Sequence, residues 1–162
     1  MVNNVVLDTN CLIASLSKKG NYFKIWRDLH EGKYILCVSN EILEEYEEII
    51  AQNVNPHIAA NVIQSLINSP YVKLIEIYFR FNLIQNDKDD NKFVDCAIAA
   101  NASFIVSEDS HFRQLKEIPF PHVPVIRLNQ FLHLLNGNKL YDINNDSIHT
   151  LNEPETIYQK SK

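Results

Sequence analysis

Residues 90–109 read DNKFVDCAIAANASFIVSED. Phe93, Val94, Ala97 and Ala100, with Ile98 at the margin, fall at helical spacing. The spacing predicts a helix over about 91–101. Phe104-Ile105-Val106 is then an unbroken apolar run that stops at Ser107-Glu108-Asp109. Such a run reads as a strand buried on both faces, the kind found in parallel sheets.

The same alternation extends outward in both directions. Val5-Val6-Leu7 ends at Asp8, Tyr34 to Val38 is a further apolar run, and Val125 to Leu128 reads as a last strand. Val72 to Phe79 reads as a strand with a ragged end. Between them lie helical patterns over residues 10–16, from Tyr22 to Gly32, after Ser39 and after Asn55-Pro56. Ser39 and Asn55 are natural N-caps, and Pro56 suits the first helical position. The apolar face of the helix after Pro56 is Ile58, Val62 and Leu66, with Ile63 and Ile67 beside it. Residues 110–116 read as one more short helix, 118–124 as a proline-rich connector and 129–135 as the last helix. Strands alternating with helices predict a single three-layer α/β domain with a mostly parallel central sheet flanked by helices. The domain spans residues 1–136, and the Asn-, Asp- and Ser-rich stretch 137–162 reads as a polar C-terminal tail, loosely attached or disordered.

Composition narrows the function. The chain has 162 residues, 46% of them hydrophobic, and a net charge of −5. No apolar run is long enough for a membrane span. Only three glycines occur, so neither a dinucleotide-binding GxGxxG nor a P-loop can be built. Cys11, Cys37 and Cys96 are dispersed and form no CxxC pair, which predicts buried, reduced thiols. With no basic leader before VVLDTN, a cytoplasmic location is the expectation.

In such a sheet the functional crevice lies beyond the carboxyl ends of the strands. Asp8 and Asp109 both follow predicted strands there, and Asp87, Asp89 and Asp90 precede a helix start. Continued backwards, the apolar stripe of that helix passes through Asp90, whereas Asp95 lies nearly opposite and is expected toward solvent. The helix after Ser39 carries five glutamates. At about 100° per residue its stripe centres on Tyr46, and Glu45 flanks it on the side of Ile42 and Ile49. Asp8, Glu45, Asp90 and Asp109 are thus the candidates for one carboxylate cluster. Four clustered acids without a basic partner call for a divalent cation, and all-oxygen ligation favours Mg2+ or Mn2+. Separate surface acids and helix caps are the competing reading. The six histidines show no metal-binding spacing, and His111, though near the site, reads as a surface residue. Ser39 and Ser107 read as a cap and a strand end.

The segments VVLDTNCLIASL, SNEILEEYEEII, DKDDNKFVDCAIAANASFIVSEDSHF and PVIRLNQFLHLL, in this order, resemble the PIN-domain family, in particular the VapC-like toxin branch of bacterial toxin–antitoxin systems. The resemblance implies a Mg2+- or Mn2+-dependent endoribonuclease. It places Asp8, Glu45, Asp90 and Asp109 in the catalytic cluster, with Asp8, Asp90 and Asp109 on the metal and Asn10 and Asp95 in supporting positions. It also implies an antitoxin partner and a homodimer. Many relatives carry a second acid two residues after the last Asp, where this chain has His111. Lys18, Lys19, Lys88, Lys92 and Arg113 are the candidate phosphate contacts. The helix with Tyr22, Phe23, Trp26 and Leu29 is either a partner surface or core. RNA maturation, DNA cleavage and a non-catalytic metal- or RNA-binding module are the competing functions.

Overall fold

The computed structural model describes residues 3–138, so the tail reading falls almost wholly outside the described residues. The chain runs β1 (Asn4–Leu7), α1 (Thr9–Ser15), α2 (Phe23–His30), β2 (Ile35–Val38), α3 (Asn40–Asn53), α4 (Pro56–Asn68) and β3 (Val72–Leu74). A 3-10 turn (Lys88–Asp90) leads into α5 (Asn91–Ala99) and β4 (Phe104–Val106). A 3-10 segment (Ser110–Glu117), β5 (Val125–Ile126) and α6 (Leu128–Leu135) complete it.

All strands are parallel, in the order β3-β2-β1-β4-β5. The central strand shows why. Val5, Val6 and Leu7 are fully buried, with Val5 level with Leu36 on one side and Phe104 on the other. Only a strand covered on both faces has no room for polar alternation. Crossovers between parallel strands are right-handed. The connections outward to β2 and β3 and the one returning to β4 therefore cover opposite faces, which makes the three layers. The strand order, which runs outward from β1 to β3, reverses between β1 and β4, and this is the topological switch point.

The caps lie where the sequence places them. Ser39 Oγ accepts the Ile42 amide and Asn55 Oδ1 that of Ile58. Gly32 closes α2 with φ +76°, where a Cβ would stand 2.7 Å from the Tyr71 ring. Ile25 and Leu29 turn α2 toward the core, and Tyr22, Phe23 and Trp26 are half-buried. The three cysteines are buried and free.

Two expectations are corrected. The strand at 72–79 stops in the ladder at Leu74. Its partner β2 ends at Val38, after which Ser39 starts a helix, so only the Ile75 amide still reaches Val38 O (2.7 Å). Residues 75–84 continue as an irregular strap with Tyr78 and Phe79 exposed. Ile67 is also exposed, because α4 buries Ala59, Val62, Ile63 and Leu66 instead.

Candidate active site

The end of β1 places the first acid. The Asp8 amide donates to Val106 O (3.0 Å), extending the β1–β4 ladder one residue past the end of β1. Its carboxylate therefore stands in the switch-point crevice, 7% exposed. Ser107 stands beside it on the β4 side. Its hydroxyl donates to Asp8 Oδ2 (2.7 Å) and accepts the Asp109 amide (3.0 Å). One serine thus ties both strand-end acids together. Tyr46 OH, from α3, donates to Leu7 O (2.6 Å) and fixes the same corner from the other side.

Asp90 arrives from the strap. The Asn91 side chain brackets Ile84, accepting its amide (2.8 Å) and donating to its carbonyl (2.9 Å). The chain between them turns back on itself, with Asp87 capping the 3-10 turn through the Asp89 amide (3.1 Å). This turn brings Asp87 and Asp90 to His111, whose own amide is held by Asp109 Oδ1 (2.9 Å). His111 Nδ1 lies 3.1 Å from Asp109 Oδ1, 3.3 Å from Asp90 Oδ2 and 3.7 Å from Asp87 Oδ2.

The electrostatics follow from this crowding. Burial, reinforced by the charges of Asp109, Asp87 and Asp8, pushes the Asp90 carboxyl up to about 6, with the His111 hydrogen bond opposing. Burial also raises Asp8, against the Ser107 hydrogen bond and with help from the charges of Asp109 and Glu45. Among the described residues, no lysine or arginine lies within ion-pair distance of Asp8, Asp90 or Asp109.

Glu45 and Asp95 each have partners of their own. Glu45 Oε1 pairs with Lys92 Nζ (2.6 Å), and Glu45 Oε2 accepts the Thr9 hydroxyl. Its charge still reaches Asp8, so it sits at the rim of the cluster. Asp95 is not turned toward solvent but 2% exposed. Its Oδ1 accepts the Phe81 amide (3.0 Å), and burial raises its carboxyl. Asn91 and Asp95 lie four residues apart on α5 and together clamp the strap, an element periodicity alone does not show. Asn10 is exposed in the first turn of α1.

The donor set fits a hard divalent cation. Asp8 and Asp109 are joined through Ser107, and Asp109 and Asp90 through His111, but among the described residues the side chains whose ligand atoms close on one point are Asp87, Asp90 and His111 rather than Asp8, Asp90 and Asp109. Ligand atoms of Asp87, Asp90 and His111 lie within 4.8 Å of one another. At about 2.1 Å per bond, adjacent corners of an octahedron are about 3 Å apart, comparable to the separations seen around His111. An open groove of about 550 Å³ adjoins this cluster at Asn86 and Ser110, with Arg113 and Gln114 on its wall.

Sequence reading missed three participants. His111 is no isolated surface residue but sits among three carboxylates. Ser107 does more than end a strand. Asp87 both caps a turn and joins the cluster. The signal for His111 and Ser107 was their spacing around Asp109, which periodicity cannot interpret.

Comparison with known proteins bears on this arrangement. A family profile described as PIN domain matches residues 4–111. No protein of curated function matches the chain. VapBC2 from Rickettsia felis, solved with a DNA fragment from its promoter, superposes with a TM-score of 0.54 at 14% identity, covering 76% of this chain and 98% of that one. VapC20 of Mycobacterium tuberculosis, a toxin that cleaves the sarcin-ricin loop, gives 0.50 at 13% identity, covering 67% and 92%. DNA-bound VapBC from Salmonella typhimurium gives 0.50 at 15% identity, covering 79% and 99%. At these identities the similarity is one of fold.

Proposed function

The chain belongs to the PIN-domain family, and on that premise we propose that it is a Mg2+- or Mn2+-dependent endoribonuclease, the toxin of a toxin–antitoxin pair. What supports this reading is the nearness of Asp8, Asp90 and Asp109, brought from three separate segments and linked through Ser107 and His111, with no lysine or arginine among the described residues within ion-pair distance of them. PIN domains are typically nucleases. The likeness to VapBC complexes and to a toxin that cleaves the sarcin-ricin loop supports RNA as substrate and an antitoxin as partner. The working form is a homodimer in the cytoplasm.

In this reading Asp8, Asp90 and Asp109 hold the metal. When bound, a divalent ion supplies an acidified water and neutralises charge on the phosphate. Ser107 keeps the Asp8 carboxylate aimed into the crevice by occupying its Oδ2. Lys92 and Thr9 hold Glu45 at the rim, where its carboxylate orients the attacking water. Asn91 and Asp95 hold the strap that delivers Asp90. Asn10, exposed next to Thr9 in the chain, is assigned a supporting role. Hydrolysis leaves 5′-phosphate and 3′-hydroxyl ends. Lys88 and Arg113, both exposed, are the cations that meet the RNA phosphates, since Lys92 is engaged by Glu45. RNA affinity therefore falls with added salt.

The test is cleavage of structured and single-stranded RNA by the wild-type protein and by Asp8→Asn, with Mn2+ or Mg2+ and then with chelator. Loss of cutting in both the variant and the chelated sample is expected. Undiminished cutting by Asp8→Asn would assign the activity to another site or a contaminant.

A further inference from the structure

The position two residues after Asp109 holds an imidazole rather than a carboxylate. Its Nδ1 faces Asp109, Asp90 and Asp87 at 3.1, 3.3 and 3.7 Å. A single ring N–H donates well to one of these acceptors at a time, so the ring proton of His111 cannot serve all three carboxylates, two of which have backbone amides instead. Among the described residues its Nε2 has no protein partner, so the tautomer with the proton on Nε2 and a free lone pair on Nδ1 costs no internal hydrogen bond. The backbone is fixed on both sides, the amide by Asp109 and the carbonyl by Gln114 Nε2 (3.2 Å). The ring is thus presented to the acids by its own turn.

We infer that His111 Nδ1 is itself a ligand, making this a mixed nitrogen–oxygen centre that prefers Mn2+ and other first-row transition ions to Mg2+. The inference rests on the reading that the acid cluster holds a divalent ion. A cation shared between the carboxylates and Nδ1 satisfies all the groups at once, which no placement of one proton does. Imidazole is a good ligand for transition metals, whereas Mg2+ prefers oxygen donors and keeps its waters. Ligand atoms of Asp87, Asp90 and His111 lie within 4.8 Å of one another, so these side chains can share one ion with His111 Nδ1 among its ligands.

The experiment uses the full chain loaded with Mn2+ and examined by pulsed electron paramagnetic resonance, with Mg2+ competition measured on the same samples. Wild type is expected to show nitrogen coupling from a directly bound histidine. His111→Asp is expected to bind Mn2+ without that coupling and to lose Mn2+-over-Mg2+ preference by about tenfold, because the imidazole favours the transition ion and its carboxylate replacement does not. Bound Mn2+ with no nitrogen coupling, or an unchanged preference in His111→Asp, overturns the inference and leaves an acid-bound metal standing. If wild type binds neither ion, the metal-dependent reading falls with it. Should His111→Asp fail to fold, the wild-type spectrum alone decides.

Discussion

Asp90→Asn should stabilise the metal-free protein while destroying its metal site. The Asp90 carboxyl is held at about 6 instead of its ordinary 3.8. At about 1.4 kcal/mol per pH unit, its ionised form costs about 3 kcal/mol at neutral pH. The side chain is 13% exposed at an open crevice, and solvent screening reduces this to about 1–2 kcal/mol. Asparagine keeps an oxygen to accept from His111 but carries no charge. In a domain this size the gain corresponds to a rise in Tm of about 2–6 °C. The sign fixes the pH window. Between about 4 and 6 the folded state holds this proton and the unfolded state has released it, so wild-type stability falls as pH rises. The advantage of Asp90→Asn is therefore nearly absent at pH 4, opens through 6 and is complete above it. Saturating divalent metal should reverse the order, since about 100-fold excess over Kd adds about 2.7 kcal/mol to the wild type alone. Thermal unfolding at pH 4, 5, 6 and 7.5, with chelator and then with Mn2+, reads all of this. A variant less stable than wild type in chelator at pH 7.5, or a difference that ignores pH, would refute the reasoning.

Three other substitutions probe the supports of the cluster. Tyr46→Phe removes the donor to Leu7 O at the end of β1 and should cost about 1–3 kcal/mol in urea unfolding, with the m-value unchanged. Asn91→Ala removes both hydrogen bonds to Ile84; a loss of about 2–3 kcal/mol and faster amide exchange at Ile84 are expected, with weaker metal binding because the turn carrying Asp87 and Asp90 is released. Ser107→Ala removes the hydrogen bond that favours ionised Asp8. The acid limb of the pH–activity profile should then move to higher pH, and metal affinity at pH 6 should fall about tenfold by calorimetry.

The framework was legible because buried parallel strands carry an unmistakable pattern. Val5-Val6-Leu7 and Phe104-Ile105-Val106 have no polar residue to place in water, and each is followed at once by a polar residue that must leave the sheet. That rule brought Asp8 and Asp109 to the same edge. Helical phase placed Asp90 toward the crevice, but it misjudged Asp95. Phase is measured relative to the core stripe, and a helix face can be covered by a segment with no periodicity of its own. The strap at 75–84 is such a segment: its backbone amides at Phe81 and Ile84 are met by Asp95 and Asn91. His111 was illegible for a related reason, since a 3-10 start aims its side chain by local turn geometry rather than by any repeat.

The acids divide by what answers their charge. Glu45 has Lys92 and Thr9, and Asp95 has the Phe81 amide with Arg80 nearby. Glu45 is held by an ion pair, whereas Asp95 is held by a backbone amide and burial raises its carboxyl, the charge of Arg80 opposing. Asp8, Asp90 and Asp109 have a hydroxyl, an imidazole and backbone amides, which orient carboxylates without cancelling their charge. The sheet edge that gathers them also keeps Asp8 from water. A fold that held such a group only for stability would gain by losing one member. Retaining all three leaves the crevice with an excess of negative charge that a divalent cation would largely offset, and on the proposed reading that excess, more than the number of acids, is what suits this edge of the sheet to phosphodiester chemistry.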